Sequence, residues 1–182
     1  MNFRQAVISC LRRYFTFSGR SMRSEYWWFA LFLLLAGTVS GLIDNAIYGD
    51  ELIETHVIDA ETYATVETTG LFEAAFWLLT FLPMLAVGWR RMHDTGRSGL
   101  CLLYPLIAMV GVTAFATMAG VMAGMLPGPD VPAADPGGFV VAVTILAVIV
   151  LVLSPFLVLW WLTRPSQPGP NQYGPNPHEV AQ

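Results

Sequence analysis

The sequence predicts an all-α membrane protein, a four-helix transmembrane bundle with an N-terminal amphipathic helix and both termini cytoplasmic. Three observations lead there. The chain is 55% hydrophobic and 12% charged, with a mean hydropathy of +0.56, far from the roughly quarter-charged mix of soluble domains. Its apolar residues gather into four stretches of spanning length, and its arginines and carboxylates lie on alternate sides of them.

A helix rises about 1.5 Å per residue, so about 20 apolar residues cross a hydrocarbon core about 30 Å thick. Stretches at roughly 26–43, 71–89, 100–125 and 138–162 meet that length. They lack the alternating polar positions of a barrel, and open strands would leave backbone groups unpaired in lipid. Residues 1–177 therefore read as one four-span domain, and 178–182 as a flexible C-terminal end.

Ahead of the first span, Phe3, Val7, Cys10, Leu11 and Tyr14 share one helical face, with Gln5, Ser9, Arg12 and Arg13 opposite. That pattern fits an interfacial helix or a face docked on the bundle. Although "RRYF" matches the start of a twin-arginine signal, "TFSGRSMRSE" separates it from the first apolar core, so cleavage is not expected.

Short loops rich in Lys and Arg stay in the cytoplasm. Arg4, Arg12, Arg13, Arg20 and Arg23 precede span one, Arg90, Arg91 and Arg97 lie between spans two and three, and Arg164 follows span four. The outer loop 44–70 carries Asp44, Asp50, Glu51, Glu54, Asp59, Glu61 and Glu67, and the loop 126–137 carries Asp130 and Asp135. Tryptophan prefers the headgroup level, and Trp27, Trp28, Trp89, Trp160 and Trp161 all fall at the span ends assigned to the cytoplasm, Trp77 excepted. Bacterial inner-membrane localisation with both termini inside follows.

The acidic loop alternates Thr and Val in "THVIDAETYATVETTG", which a short hairpin would use, but a solvated loop is the preferred reading. Span three has Ala116, Gly120 and Gly124 at four-residue spacing, a pattern that lets helices approach closely within the bundle or in a homo-oligomer. Cys10 and Cys101 both fall on the reducing side, so no disulfide is expected. His56, His93 and His178 are scattered over three segments, so neither a metal nor a cofactor is expected. A net charge of −4 and a pI near 5.2 argue against nucleic acid as a partner.

The densest charge is in "RRMHDTGRSGL" at 90–100. Arg90, Arg91 and His93 suit a helix C-terminus, Gly96 a left-handed stop and Ser98 a cap for the next helix. An arginine at mid-bilayer costs about 3 kcal/mol on insertion scales, so the arginine pair reads as an anchor for the end of span two. The "DTG" triplet at 94–96 has no second copy to form a carboxylate dyad. Arg20, Arg23 and Glu25 are expected to meet His93, Asp94 and Arg97, with Arg20 or Arg23 pairing with Asp94, because opposite charges gain more near lipid than in water.

The tail "PSQPGPNQYGPNPHEVAQ" is too rich in Pro, Gly and Asn to be helical, which fits disorder. Yet Asn171 and Gly174 suit positive φ, four prolines stiffen the segment and Tyr173 has a ring to bury. "NQYG" is therefore expected to fold back as a turn, with Tyr173 against the 90–99 loop and Asn171 bonding its backbone.

Three segments, "FTFSGRSMRSEYWWF" at 15–29, "RRMHDTGRSGL" at 90–100 and "PGPNQYGPNP" at 168–177, occur in the order of a known pattern. Together the chain resembles the domain-of-unknown-function 805 family of bacterial inner-membrane proteins, with its F-x-G-R-x-x-R-x-E-[YF]-W, R-R-x-H-D-x-G-x-S-G and N-x-Y-G-x-x-P blocks. The match implies characteristic positions at Phe17, Gly19, Arg20, Arg23, Glu25, Trp27, Arg90, Arg91, His93, Asp94, Gly96, Ser98, Gly99, Asn171, Tyr173, Gly174 and Pro177. The chain departs from the pattern at Leu100, where the family tends to carry Trp, and in its long acidic outer loop. The family carries no established activity over to it.

The expected function is a non-catalytic multi-pass module whose arginine-rich cytoplasmic face binds an anionic lipid headgroup, a small ligand or a partner protein. Its interaction face is expected to comprise Arg20, Arg23, Glu25, Arg90, Arg91, His93, Asp94, Arg97, Asn171 and Tyr173. Two alternatives are a small-solute transporter or channel and an enzyme acting on phosphate-bearing lipids. Against transport, spans two to four hold only Glu73 as an ionisable group, near an outer end. Against the enzyme, His93 and Asp94 could serve as acid and base but nothing in the chain supplies a clear nucleophile.

Overall fold

The computed structural model describes residues 1–49, 53–59, 62–67, 70–122 and 137–180. Helix α1, Phe3–Arg12, opens with a capping box. The Asn2 side chain accepts from the Gln5 amide at 3.0 Å, and the Gln5 side chain accepts from the Asn2 amide at 3.1 Å, which pairs two of the amides a helix start leaves free. Ala6 and Cys10 turn into the bundle while Phe3 and Leu11 stay exposed. The stripe expected along this helix is thus divided between a packed edge and an outward one.

Four helices are long and apolar enough to cross a membrane. They are α2, Arg23–Tyr48, α3, Leu71–Asp94, α4, Tyr104–Met122, entered through a 3-10 turn at Gly99–Leu103, and α5, Gly137–Thr163. Two of them outrun their apolar stretches. Helix α2 continues past Ile43 to Tyr48, and α3 continues through Asp94, so Asp44 and the "RRMHD" run are helical rather than loop.

Asp44 explains the first extension. Its carboxylate accepts from the amides of Phe72 at 3.0 Å and Glu73 at 2.6 Å, capping α3 from a neighbouring helix where α3's own N-cap, Gly70, has no side chain to do so. Gly70 is required there, since a Cβ would lie 2.1 Å from Asp44 Cγ. At the same end the Trp77 indole donates to Glu73 at 3.2 Å, which gives the one tryptophan outside the main belt its polar partner.

Between α2 and α3 the chain forms a two-stranded antiparallel hairpin, β1 Ile53–Asp59 with β2 Thr62–Glu67. The pairing runs from Ile53 opposite Glu67 to Asp59 opposite Thr62, with a register shift between Val57 and Asp59. This corrects the solvated-loop reading: a high density of β-branched residues favours paired strands. Residues 126–136 of the other expected outer loop lie outside the described residues, as does Gly124. Ala116 is exposed and Gly120 half-buried on α4.

Both α3 and α5 carry an internal proline, Pro83 and Pro155. Proline has no amide hydrogen, so the carbonyl four residues earlier loses its helical partner, a serious loss in lipid. Each orphan finds a hydroxyl. Tyr14 donates to the Leu79 carbonyl at 2.5 Å, and Ser154 donates to the Leu151 carbonyl at 2.8 Å.

Side chains of α1, α2, α3 and α5 share one core, made by Cys10, Tyr26, Phe29, Leu33, Val87, Met92, Val158 and Leu162. It lies beside the arginine-bearing end of the bundle. Elsewhere α2 to α5 present exposed residues such as Leu34, Leu78, Leu106 and Leu146, as helices in contact with lipid do.

Candidate functional site

The site grows from the last turn of α3. Successive residues on a helix of 3.6 per turn point about 100° apart, so Arg90 and Arg91 leave α3 toward different neighbours. Arg91 reaches Asp94 Oδ2 through Nη1 at 2.5 Å and the Leu162 carbonyl through Nε at 3.1 Å, and its Nη2 donates to the Arg164 carbonyl. Those carbonyls belong to the C-terminal end of α5, where acceptors lack intrahelical donors and a cation is favoured. Arg90 turns the other way and donates to the carbonyls of Thr16 at 2.5 Å and Arg13 at 3.4 Å. Its Nη2 lies 3.6 Å from Glu25 Oε1.

Each carboxylate is the hub of a separate cluster. Asp94 accepts from Arg20 Nε at 2.9 Å, from Arg91, and from Ser166 at 2.5 Å. Arg20 then spends its other donors on the tail, on the carbonyls of Gln167 at 2.6 Å, Gly169 at 2.7 Å and Gly174 at 3.4 Å. Glu25 accepts from Ser9 at 2.8 Å and Ser21 at 2.7 Å. Two backbone bonds join the blocks, Ser21 amide to Arg90 carbonyl at 3.2 Å and Gln167 amide to Asp94 carbonyl at 2.9 Å.

Arg20, Glu25, Arg90, Arg91 and Asp94 are all buried. A buried charge is tolerated only when it is paired and hydrogen-bonded, and nearly all of these donors are used. Arg90 Nε and Nη2 are the buried donors without a hydrogen-bond partner among the described residues. Burial also reaches Cys10, whose thiol is pushed up to about 12, mainly by desolvation and secondarily by the Glu25 carboxylate.

The third block closes over His93. The Tyr173 ring stacks on the imidazole with centroids 3.8 Å apart and planes within 1°. The Asn171 side chain donates to the His93 carbonyl at 3.0 Å and accepts from the Tyr173 amide at 2.9 Å, the latter an Asx turn. Gly174 has φ +131°, whereas Asn171 keeps a negative φ, so its role is side-chain bonding rather than the left-handed backbone expected of it. On the other side His93 Nδ1 lies 3.1 Å from the Gly19 carbonyl, which requires the proton on Nδ1. After Asn176, which accepts from the His178 amide, residues Pro177–Val180 make a helical turn, α6, within the segment expected to be a flexible end. Glu179 ties it to Gly169 at 3.1 Å.

The expected meeting of blocks is observed in part: Arg20 pairs with Asp94 and His93 reaches the Gly19 carbonyl, whereas Arg23 is exposed, Glu25 pairs with Arg90, and Arg97 contacts Thr95 and Trp161 instead. One expectation needs correcting. Arg90 and Arg91 are not anchors reaching for headgroups but occupants of the bundle, because Glu25, Asp94 and four carbonyls turn toward them. Arg97 stays near the surface, its guanidinium 5.2 Å from the Trp161 ring centre, and Arg164 sits 4.5 Å from that of Trp160. Gly96 has φ +76° and Ser98 caps the 3-10 turn by accepting from Leu100 at 3.3 Å, as their positions predict. The sequence does not single out Ser21, Ser166 or Gln167. Serine and glutamine are too common for type alone to mark them.

Both carboxylates are ion-paired, and the imidazole is held between the Gly19 carbonyl and a tyrosine ring.

Residues 14–175 match the family described as Protein of unknown function (DUF805). Among curated proteins, the chain is 35% identical over 107 residues to Inner membrane protein YhaI of Escherichia coli K12, covering 59% of this chain and 75% of that protein. It is 31% identical over 126 residues to Inner membrane protein YhaH of the same strain, covering 68% and 93%. No solved structure matches it. Of the three blocks that converge on Asp94, Glu25 and His93, the first two lie within the matched residues and the third runs two residues past them, and with its four apolar helices this inner-membrane protein belongs to the DUF805 family.

Proposed function

We propose that the protein is a non-catalytic module of the inner membrane, with both termini cytoplasmic, whose arginine-rich face binds an anionic group, foremost an acidic lipid headgroup. One observation carries this reading. Arg20, Arg90 and Arg91 are matched by carboxylates, while Arg4, Arg12, Arg13, Arg23, Arg97 and Arg164 have no carboxylate within 4.0 Å among the described residues. The buried cluster supports the reading by making a stiff platform, and the unmatched arginines give that platform a positive rim. Near a leaflet of anionic lipid each such cation contributes about 1 kcal/mol of attraction. Helix α1 would lie along the interface with Phe3, Ile8 and Leu11 toward the acyl chains, since all three are exposed.

Reconstitution tests the binding. In nanodiscs, phosphatidylglycerol added to phosphatidylcholine should raise the thermal midpoint, and the gain should shrink with salt. No gain at low salt would defeat the reading. Orientation is tested separately by a phosphatase reporter after Gln182, which should be inactive.

A further inference from the structure

We propose that the cleft between Arg97 and Arg164 is a phosphate-binding site at headgroup depth; this rests on the reading above and gives it a definite place. The cleft has a volume of about 330 Å³ and is lined by Thr95, Arg97, Arg164, Pro165, Ser166, Gln167 and Pro168, at the small end of the range for small-ligand sites.

Its two cations are restrained by rings, Arg97 over Trp161 and Arg164 over Trp160. Arg97 Nη1 donates to the Thr95 carbonyl at 3.3 Å, and guanidinium N–H groups not engaged in this way fit phosphate oxygens. Neither arginine meets a carboxylate within 4.0 Å among the described residues, because the nearest acid of the cluster, Asp94, already accepts from Arg20, Arg91 and Ser166. The walls are preset as well. Arg91 holds the Arg164 carbonyl, Asp94 holds the Gln167 amide, and Asn171 donates to Gln167 Oε1 at 3.1 Å, so little ordering is left for a ligand to impose. Trp160 is exposed immediately before the end of α5, and an exposed tryptophan at a span end places the cleft level with lipid phosphates.

Arg12 and Arg13 serve as the internal comparison. They flank another cleft, of about 400 Å³, with Gln5, Ile8 and Ser9, but no ring holds either guanidinium among the described residues.

The experiment uses the full chain in phosphatidylcholine nanodiscs with and without phosphatidylglycerol, comparing wild type, R97Q/R164Q, R97K/R164K and R12Q/R13Q by thermal midpoint and by lipid retained in native mass spectrometry. Wild type should retain phosphatidylglycerol, R12Q/R13Q, which removes two rim charges but no cleft contact, should lose part of it, and R97Q/R164Q should retain about tenfold less than R12Q/R13Q, the loss of about one charge-assisted contact beyond the shared loss of rim charge. The lysine pair, which keeps charge but loses the fork, should fall between and shows that a loss is not misfolding. Retention unchanged in R97Q/R164Q but lost in R12Q/R13Q would overturn the cleft and leave the face reading standing. No retention by wild type would overturn both. Inorganic phosphate and glycerol 3-phosphate, titrated in neutral detergent, separate the sources. Stabilisation that R97Q/R164Q abolishes shows that the cleft takes phosphate from solution too, whereas lipid retention without it shows a headgroup site. Stabilisation that R97Q/R164Q leaves intact would overturn the proposal.

Discussion

The imidazole of His93 and the ring of Tyr173 lie face to face at 3.8 Å, joining the end of α3 to a tail segment eighty positions further along the chain. The contact converts a proline-rich tail into a strap across the end of the bundle. Prolines at 168, 170 and 175 have already restricted the chain, so a half-buried ring and a few hydrogen bonds are enough to hold it.

Tyr173→Ala should therefore destabilise the fold by about 1 to 2 kcal/mol, the value of a partly buried aromatic ring, while Tyr173→Phe should cost much less. Chymotrypsin cleavage in the tail of the purified protein should accelerate when His93 is changed to Ala, even with Tyr173 present. Equal cleavage rates would show that the stack does not hold the tail.

Asp94 faces two guanidiniums. Asp94→Asn keeps the shape but leaves Arg20 and Arg91 buried without a counter-charge, a change of about 3 to 5 kcal/mol for such sites. Combined with Arg20→Gln, the loss should fall short of the sum of the two single losses by at least about 1 kcal/mol. Denaturant titration of the four proteins in detergent measures this, and additive losses would mean that the blocks do not couple.

Tyr14→Phe leaves the Leu79 carbonyl without a donor, because Pro83 has no amide hydrogen to offer. The expected cost is about 1 to 3 kcal/mol. In a Pro83→Ala background the helix supplies its own donor at position 83, so the same Tyr14→Phe change should be nearly silent. A cost that is equal in both backgrounds would assign Tyr14 a packing role only.

At the opposite end, Asp44→Ala should lose a helix cap, about 0.5 to 2 kcal/mol. Gly70→Ala should cost more, since its Cβ would collide with the Asp44 carboxyl. The double variant removes the collision and should be more stable than Gly70→Ala alone. Thermal midpoints of the three variants decide it.

Cys10 holds its proton more tightly when folded, with its thiol pushed up to about 12 against about 8.5 in an open chain. Its contribution to stability is full below the open-chain value and is lost as pH climbs from there toward 12. Wild type should therefore lose more stability between pH 7 and 10 than Cys10→Ser, which does not titrate. In a Cys101→Ser background, iodoacetamide should label Cys10 slowly at about pH 8.5, where a free thiol is half ionised.

Much of this architecture was legible in residue order. Spanning helices advertise themselves because lipid demands long apolar runs, and sign-segregated charge marks which ends go together. Composition also foretold a folded turn at "NQYG" and the left-handed stop at Gly96, since a glycine's backbone freedom and an Asn side chain's bond to the backbone two residues on are both local. Local rules could not reveal how far the helices continue into polar sequence. Asp44 lies in α2 because it caps α3, and "RRMHD" lies in α3 because carboxylates and carbonyls from distant segments receive its charges.

Partner choice is the part that residue order left open. Arg20 and Arg23 are equally charged and three positions apart, yet one is buried on Asp94 and the other is exposed, because Arg20 lies ahead of α2 in the segment that the Ser21 amide ties to the Arg90 carbonyl, so packing sets which side chain faces the cluster. The fate of Arg90 and Arg91 was hidden for the same reason. An arginine pair at a span end looks identical whether it reaches for headgroups or turns inward, and the difference lies in Glu25, Asp94 and the carbonyls of Thr16, Leu162 and Arg164. Those acceptors come together only when α1, α2, α5 and the tail have packed, since a buried charge is stable where its partners converge and nowhere else.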